Sequence, residues 1–382
     1  MRELHTAHVM EERTLTEELI GYDTSNAEGI KLCAGFVKGW LESRDIVARQ
    51  IGVRDLPVTI AEVGPEDASR TVLLHGHLDV VPGRPEQFTP RREGERLHGR
   101  GAYDMKGALA CLLLALADLR EQDQVRVRLG IVPDEESEEE TDRGGDRLVE
   151  AGFVGDFAIT GEPTDMQVGI AAKGVLAMRI EVLGHAAHGA TPWLGENAIL
   201  RAYEVFRELE SLPFASRSSE LFDRPSINLG RILGGDALNK VPDTCFIDVD
   251  VRYLPEQDPN DILAEVRELS RAQVISTFSR PPVLVDPDSP YVQALRASAA
   301  PHTDGQSKGV VGRDGASDAV SFLRVGIPAV EFGPVGGGHH GPDEWVSIPS
   351  LASYRQAIVD FVTGLERALA GGAGDASEEG QA

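Results

Sequence analysis

The chain has 382 residues, too many for one ordinary hydrophobic core, so two domains are expected. An apolar fraction of 41% with a charged fraction of 26% belongs to a soluble globular protein. A net charge of −25 argues against nucleic acid or an anionic membrane as partner, because both need basic patches.

The first ten residues hold Arg2, Glu3, His5 and His8 without an apolar stretch, so no signal peptide is expected. Leu15, Leu19 and Ile20 then recur at helical spacing, with Thr14 or Thr16 as caps, and a second helix is predicted from about Glu28 to Ser43. Strands and helices alternate to about Ile170, the order of an α/β fold with a mainly parallel sheet and flanking helices. Met105 to Arg120 is apolar almost all round and reads as a deeply packed helix. Its longest apolar run, Ala108 to Ala117, is about half the length of a bilayer span.

The pattern changes near Lys173. Leu176 to Val182 alternates like a strand with one wet face; a helix from Asn197 to about Leu212 follows. Strands Ser226 to Ile232 and Thr244 to Tyr253 and a helix from Pro259 to about Ala272 complete a small α+β insertion with an antiparallel sheet. Pro281, Pro282 and Pro287 mark its exit. The α/β pattern resumes near Tyr291 and ends in a helix from Ser350 to Leu369. Residues 1–172 and 281–370 thus read as one discontinuous domain, 173–280 as the insertion, and 371–382 as a disordered tail. Cys33, Cys111 and Cys245 lie far apart with no disulfide or metal spacing, which fits a reducing cytoplasm.

Five segments place imidazole or carboxylate groups where apolar strand patterns run out into loops. They are His75-Gly76-His77-Leu78-Asp79, Asp104, Asp134-Glu135-Glu136, Glu162 and His339-His340. Open parallel sheets build their sites outside the carboxyl ends of strands, so these loops are expected to converge. Two imidazoles and three carboxylates meeting there suit two divalent cations. Singly, each has a bland reading: His77 as a structural histidine, or the Glu135 to Glu140 run as a solvated face. The ordered set argues for the site.

These residues resemble the dinuclear zinc aminoacylase and carboxypeptidase family, the M20 metallopeptidases, which includes acetylornithine deacetylase, succinyl-diaminopimelate desuccinylase and glutamate carboxypeptidases. The resemblance rests on His75 to Pro82, Gly99 to Gly107, Asp134-Glu135-Glu136, Gly161 to Thr164, the insertion, and His340 to Glu344. It implies a zinc exopeptidase-like fold holding two Zn²⁺, with Co²⁺ or Mn²⁺ as substitutes. His77 and Glu162 match the ligands of one metal, Glu136 and His340 those of the other, and Asp104 the bridge. His75 and His339 neighbour these positions; His77 is favoured because Asp79 completes a His-x-Asp pair, and His340 because it stands four residues before Glu344. Asp79 is expected to fix the His77 tautomer from behind the ring. Glu135 matches the general base, which takes a proton from the attacking water and delivers it to the leaving nitrogen.

By the same resemblance the insertion is a lid and dimerisation domain, and His188 reaches the active site of a second subunit to stabilise an oxyanion. Its alternative is a surface-loop histidine. Asn239 and Arg252 match positions that hold substrate, Arg252 as a bidentate grip on a carboxylate, with a salt bridge to Asp248 or Asp250 as the alternative. Ala316 stands where the family has threonine, and Ser137 to Thr141 adds carboxylates; both weigh against an acidic acyl group. The expected activity is zinc-dependent hydrolysis of an amide in an N-acyl amino acid or small peptide by a cytoplasmic homodimer. Succinyl-diaminopimelate desuccinylase is the nearer alternative. A non-catalytic metal-binding or assembly protein of the same fold is the more distant one, although no ligand and no base is missing.

Overall fold

The computed structural model describes residues 2–137, 142–270, 272–303 and 309–375. Its backbone forms two compact units. One is built from Met1–Ile170, Val285–Val311 and Asp318–Ala382, the other from Ala171–Leu284 and Gly312–Ser317. The chain therefore leaves the first unit beside the expected boundaries, and the structure adds Gly312–Ser317 to the second.

In the first unit, β1 (Ala48–Val53), β2 (Leu56–Val63), β3 (Thr71–His77), β4 (Arg126–Val132), β5 (Phe157–Thr160), β6 (Val168–Ala172) and β7 (Ala329–Glu331) lie in the order β1-β2-β4-β3-β5-β7-β6. The central strands β4, β3, β5 and β7 are parallel, while β1, β2 and β6 pair antiparallel at the margins. Parallel strands covered on both faces must be apolar throughout. Accordingly β5 is wholly buried, and β3 is buried from Val72 onward.

Helix α1 (Arg2–Ile20) runs straight through Thr14 and Thr16, which are not caps. Their hydroxyls instead donate back to the carbonyls of Met10 and Glu12, 2.7 Å each, because the helix begins a full three turns earlier. Helix α2 (Ala27–Glu42) is capped by Asn26, whose side chain accepts the Gly29 N–H. Helix α3 (Gly107–Asp118) is buried on every face from Gly107 to Leu116 and packs against α1 and the last helix, Ile348–Asp375. That last helix includes residues 371–375, which the sequence pattern assigns to the tail; 376–382 lie outside the described residues.

The second unit has one antiparallel sheet in the order Ser226–Gly234, Thr244–Tyr253, Gly174–Leu183, Ala272–Arg280. Helices Ala198–Leu209 and Pro259–Arg267 cover its apolar face. Asn197 and Asp258 cap them, each accepting backbone N–H groups of the first turn. Burial alternates strictly along Thr244–Tyr253, as a strand with one covered face requires.

Candidate metal centre

His77 is the last residue of β3; Glu136 and Glu162 stand in loops after β4 and β5 of the same sheet, Asp104 in the turn that leads into α3, and His340 in the loop before Trp345–Ser347. His77, Asp104 and Glu162 form one group whose ligand atoms all lie within 4.8 Å of one another; Asp104, Glu136 and His340 form a second. Asp104 belongs to both. Its Oδ1 is 3.3 Å from His77 Nε2 and its Oδ2 is 3.4 Å from His340 Nε2. His77 Nε2 is 3.7 Å from Glu162 Oε1, and His340 Nε2 is 2.9 Å from Glu136 Oε1. The neighbouring imidazoles point elsewhere: His75 meets the Phe322 ring edge-on at 5.3 Å, and His339 meets Tyr103 at 6.0 Å.

Local sequence explains how β3 and β5 end at one place. Met105 sits against both: a Cβ on Gly76 or Gly161 would lie 2.6 or 2.5 Å from its methyl carbon, so any larger residue there would have to push that side chain aside. Its sulfur is also 3.3 Å from the His77 N–H. The turn before it is held by Glu344. That buried carboxylate accepts the N–H groups of Gly101 (2.9 Å), Tyr103 (3.0 Å) and Asp104 (3.0 Å), and Arg100 Nη1 at 2.8 Å. In the sequence Glu344 serves only to favour His340 over His339, and nothing there marks the three amides it gathers.

Asp79 differs from expectation in which atom does the work. Its carbonyl oxygen, not its carboxylate, makes the short contact with His77 Nδ1, at 2.9 Å; Oδ1 is 3.6 Å away. The carboxylate is drawn off by the N–H groups of Glu135 (3.0 Å) and Glu136 (2.7 Å). A carbonyl can only accept, so Nδ1 carries a hydrogen, and Nε2 is the nitrogen aimed at the carboxylates and left to bind a cation once it gives up its proton.

The profile of Peptidase family M20/M25/M40 matches residues 73–364. The chain belongs to this family. A probable succinyl-diaminopimelate desuccinylase of Staphylococcus aureus is 27% identical, across 89% of this chain and 94% of that protein. Acetylornithine deacetylase of Salmonella typhi is 29% identical, across 91% and 92%. A tripeptidase of Staphylococcus aureus has the same fold, with a TM-score of 0.79 at 18% identity, covering 94% of this chain and 99% of its own. The protein is a metal-dependent hydrolase.

The charge of the M20 site suits cations. Burial, and then the Asp104 carboxylate, push Glu162 well above the usual range, as expected where acidic groups crowd together. Glu135 is pushed up to about 8, by burial first and then by the Asp318 carboxylate. Burial pulls His77 down, but hydrogen bonds from its ring to Asp104 and Asp79 and the Glu162 charge outweigh it and hold the ring well above its ordinary value. His340 is raised to about 10 by its hydrogen bonds to Asp104 and Glu136. The donors fit divalent cations: each group combines one imidazole Nε2 with two carboxylates, and positive charge there relieves the mutual repulsion.

The second unit of the M20 protein positions the remaining candidates. His188 is exposed, and its Nδ1 accepts the Ala190 N–H at 3.0 Å, so the neutral ring carries its hydrogen on Nε2. The Gly189 N–H donates to the Asn239 carbonyl at 2.7 Å, which places these two loops side by side. Arg252 is half-buried and donates through Nε to Asp250 at 2.9 Å; Asp248 pairs instead with Arg179. Of the acidic run after Glu136, residues 138–141 lie outside the described residues. Among the described residues, no helix is long and apolar enough to cross a membrane.

Proposed function

We propose that the protein is a zinc-dependent amidohydrolase that splits the amide of an N-acyl amino acid or small peptide. The observation that carries this reading is the pair of ligand groups sharing Asp104. His77 and Glu162 would hold one cation and Glu136 and His340 the other, with Asp104 shared between the two groups. When bound, the two cations polarise the scissile carbonyl and acidify a water. Glu135, next to ligand Glu136, takes the proton of the attacking water on its carboxylate and passes it to the leaving nitrogen. Asp79 supports both steps, through its carbonyl on the His77 ring and its carboxylate under the Glu135 and Glu136 amides.

The second unit acts as lid and dimerisation domain of a homodimer. His188, with its hydrogen on Nε2, donates to the oxyanion across that dimer. Asn239 contacts the substrate, and Arg252 turns from Asp250 to grip a substrate carboxylate. Three free, buried cysteines suit a reducing compartment such as the cytoplasm.

The relatives named as desuccinylase and deacetylase make N-succinyl and N-acetyl amino acids the first substrates to try. A panel of N-acetyl, N-formyl and N-succinyl amino acids and dipeptides, assayed for amine release with Zn²⁺ or Co²⁺ and again after chelation, tests the reading. Turnover that needs metal and is confined to one amide class supports it and names the acyl group. Two bound metals without turnover on any amide would refute it and favour a metal-binding role.

A further inference from the structure

The turn from Asp134 to Ser137 carries a proposed base and a proposed ligand, and it is gripped from two sides. Asp79 takes its N–H groups. Its carbonyls are taken by Arg143, which donates through Nη2 to the Glu135 oxygen at 2.8 Å and through Nη1 to the Ser137 oxygen at 3.1 Å. The same Nη2 lies 3.3 Å from Asp318 Oδ1, and both side chains are buried. Asp134 closes the turn from its start, accepting the Gly144 N–H at 3.0 and 3.1 Å and pairing with Arg54 at 2.5 Å.

A buried guanidinium is costly unless its donors are satisfied, and here a planar fork meets two carbonyls of one turn and a carboxylate. Lysine, with one point charge, cannot serve three acceptors spread in this way. A residue kept only for stability has no reason to seize the peptide of the one carboxylate that must be aimed. We propose that Arg143 is a positioning residue for hydrolysis: it fixes the Glu135 peptide and so sets where that carboxylate points, without touching metal or substrate. The proposal rests on Glu135 being the base. Nothing in the sequence marks Arg143, because its partners are two backbone carbonyls of one turn and the distant Asp318.

The test compares the full-length protein with its Arg143→Met and Arg143→Lys variants, all loaded with Zn²⁺. Metal content, kcat and KM on an amide from the panel, and hydrogen exchange of the Glu135–Ser137 segment are measured. Arg143→Met is expected to keep its metals and lower kcat about 10- to 100-fold with KM within about threefold, the signature of a misplaced group. Exchange in that segment rises by about tenfold while β3 and α3 are unchanged, and Arg143→Lys falls in between. Unchanged exchange in the segment, or unchanged kcat, overturns the proposal. Exchange raised across the whole unit overturns it too, because Arg143 is then a general stabiliser. Should Arg143→Met fail to fold, Asp318→Asn loosens the guanidinium and is read by the same two quantities. Absence of amide hydrolysis in the unaltered protein refutes the functional reading alone; the exchange result still decides whether Arg143 holds the turn.

Discussion

Glu344→Gln tests the idea that the bridging aspartate depends on a carboxylate far from it in sequence. In the unaltered protein four donors converge on the two oxygens: Arg100 and Gly101 on Oε2, Tyr103 and Asp104 on Oε1. Glutamine can keep its oxygen toward Tyr103 and Asp104, but its NH₂ then faces two donors. Hydrogen bonds to charged groups contribute about 1.5–3 kcal/mol each, so losing two costs about 3–6 kcal/mol. Breaking a buried ion pair from one side gives a similar about 3–5 kcal/mol. Urea unfolding of the chelated protein measures this without a contribution from metal. Trp40 and Trp345 report on the first unit, and the exposed Trp193 of the second is removed by Trp193→Phe in both proteins. A loss below about 1 kcal/mol would show that water or a rearranged turn satisfies the donors, and would refute the reasoning. The same variant is expected to bind Zn²⁺ about 10- to 100-fold more weakly, since the Arg100 and Gly101 donors are left without an acceptor in the turn that presents Asp104.

Glu135→Gln is expected to keep normal metal content while hydrolysis falls by roughly 10²–10⁴-fold; full activity would reject it as the base. Asp104→Ala removes a ligand from both groups, so metal content measured after dialysis should drop at both sites, and loss of only one cation would reject the bridge. His340 is held up at about 10, so below that pH a cation must displace its proton. Affinity for Zn²⁺ in chelator competition should therefore rise with pH, by roughly tenfold per unit for each proton released, between about pH 6 and about pH 8. A flat profile would contradict this. His188→Ala should lower kcat by roughly 10²–10³ and affect KM less, whereas an unchanged kcat would return that histidine to the surface.

The parts of the site that were legible in the sequence are those where chemistry and local pattern coincide. His77 ends a run of buried strand residues, and Glu162 follows one, so a continuous apolar run with a polar residue at its end marks both positions. The antiparallel insertion was legible through a different local pattern, the alternation of Thr244–Tyr253. What was hidden is contact between distant segments. Asp79 acts on His77 through a backbone carbonyl, which carries no residue identity. Arg143 and Glu344 act on backbone groups of turns 8 and 240 to 243 residues away, and no local periodicity records such a partner. Thr14 and Thr16 misled for a related reason: a hydroxyl that caps one helix can bond back along another, and only the true helix start decides between them.

The course of the chain through β6 bears on how the protein is assembled. Ile170 and Val285, the last and first residues of the first unit on either side of the insertion, are joined by a hydrogen bond of 2.8 Å from the Val285 N–H to the Ile170 carbonyl. The two chain ends that the insertion separates by more than a hundred residues are thus already adjacent, as in a hairpin with an oversized loop. All five proposed ligands, the base, and their supports Asp79, Arg143 and Glu344 lie on the flanks. The metal unit is therefore modular: parts of the insertion away from His188, Asn239 and Arg252 are free to diverge or lengthen while the seam that closes the sheet stays intact.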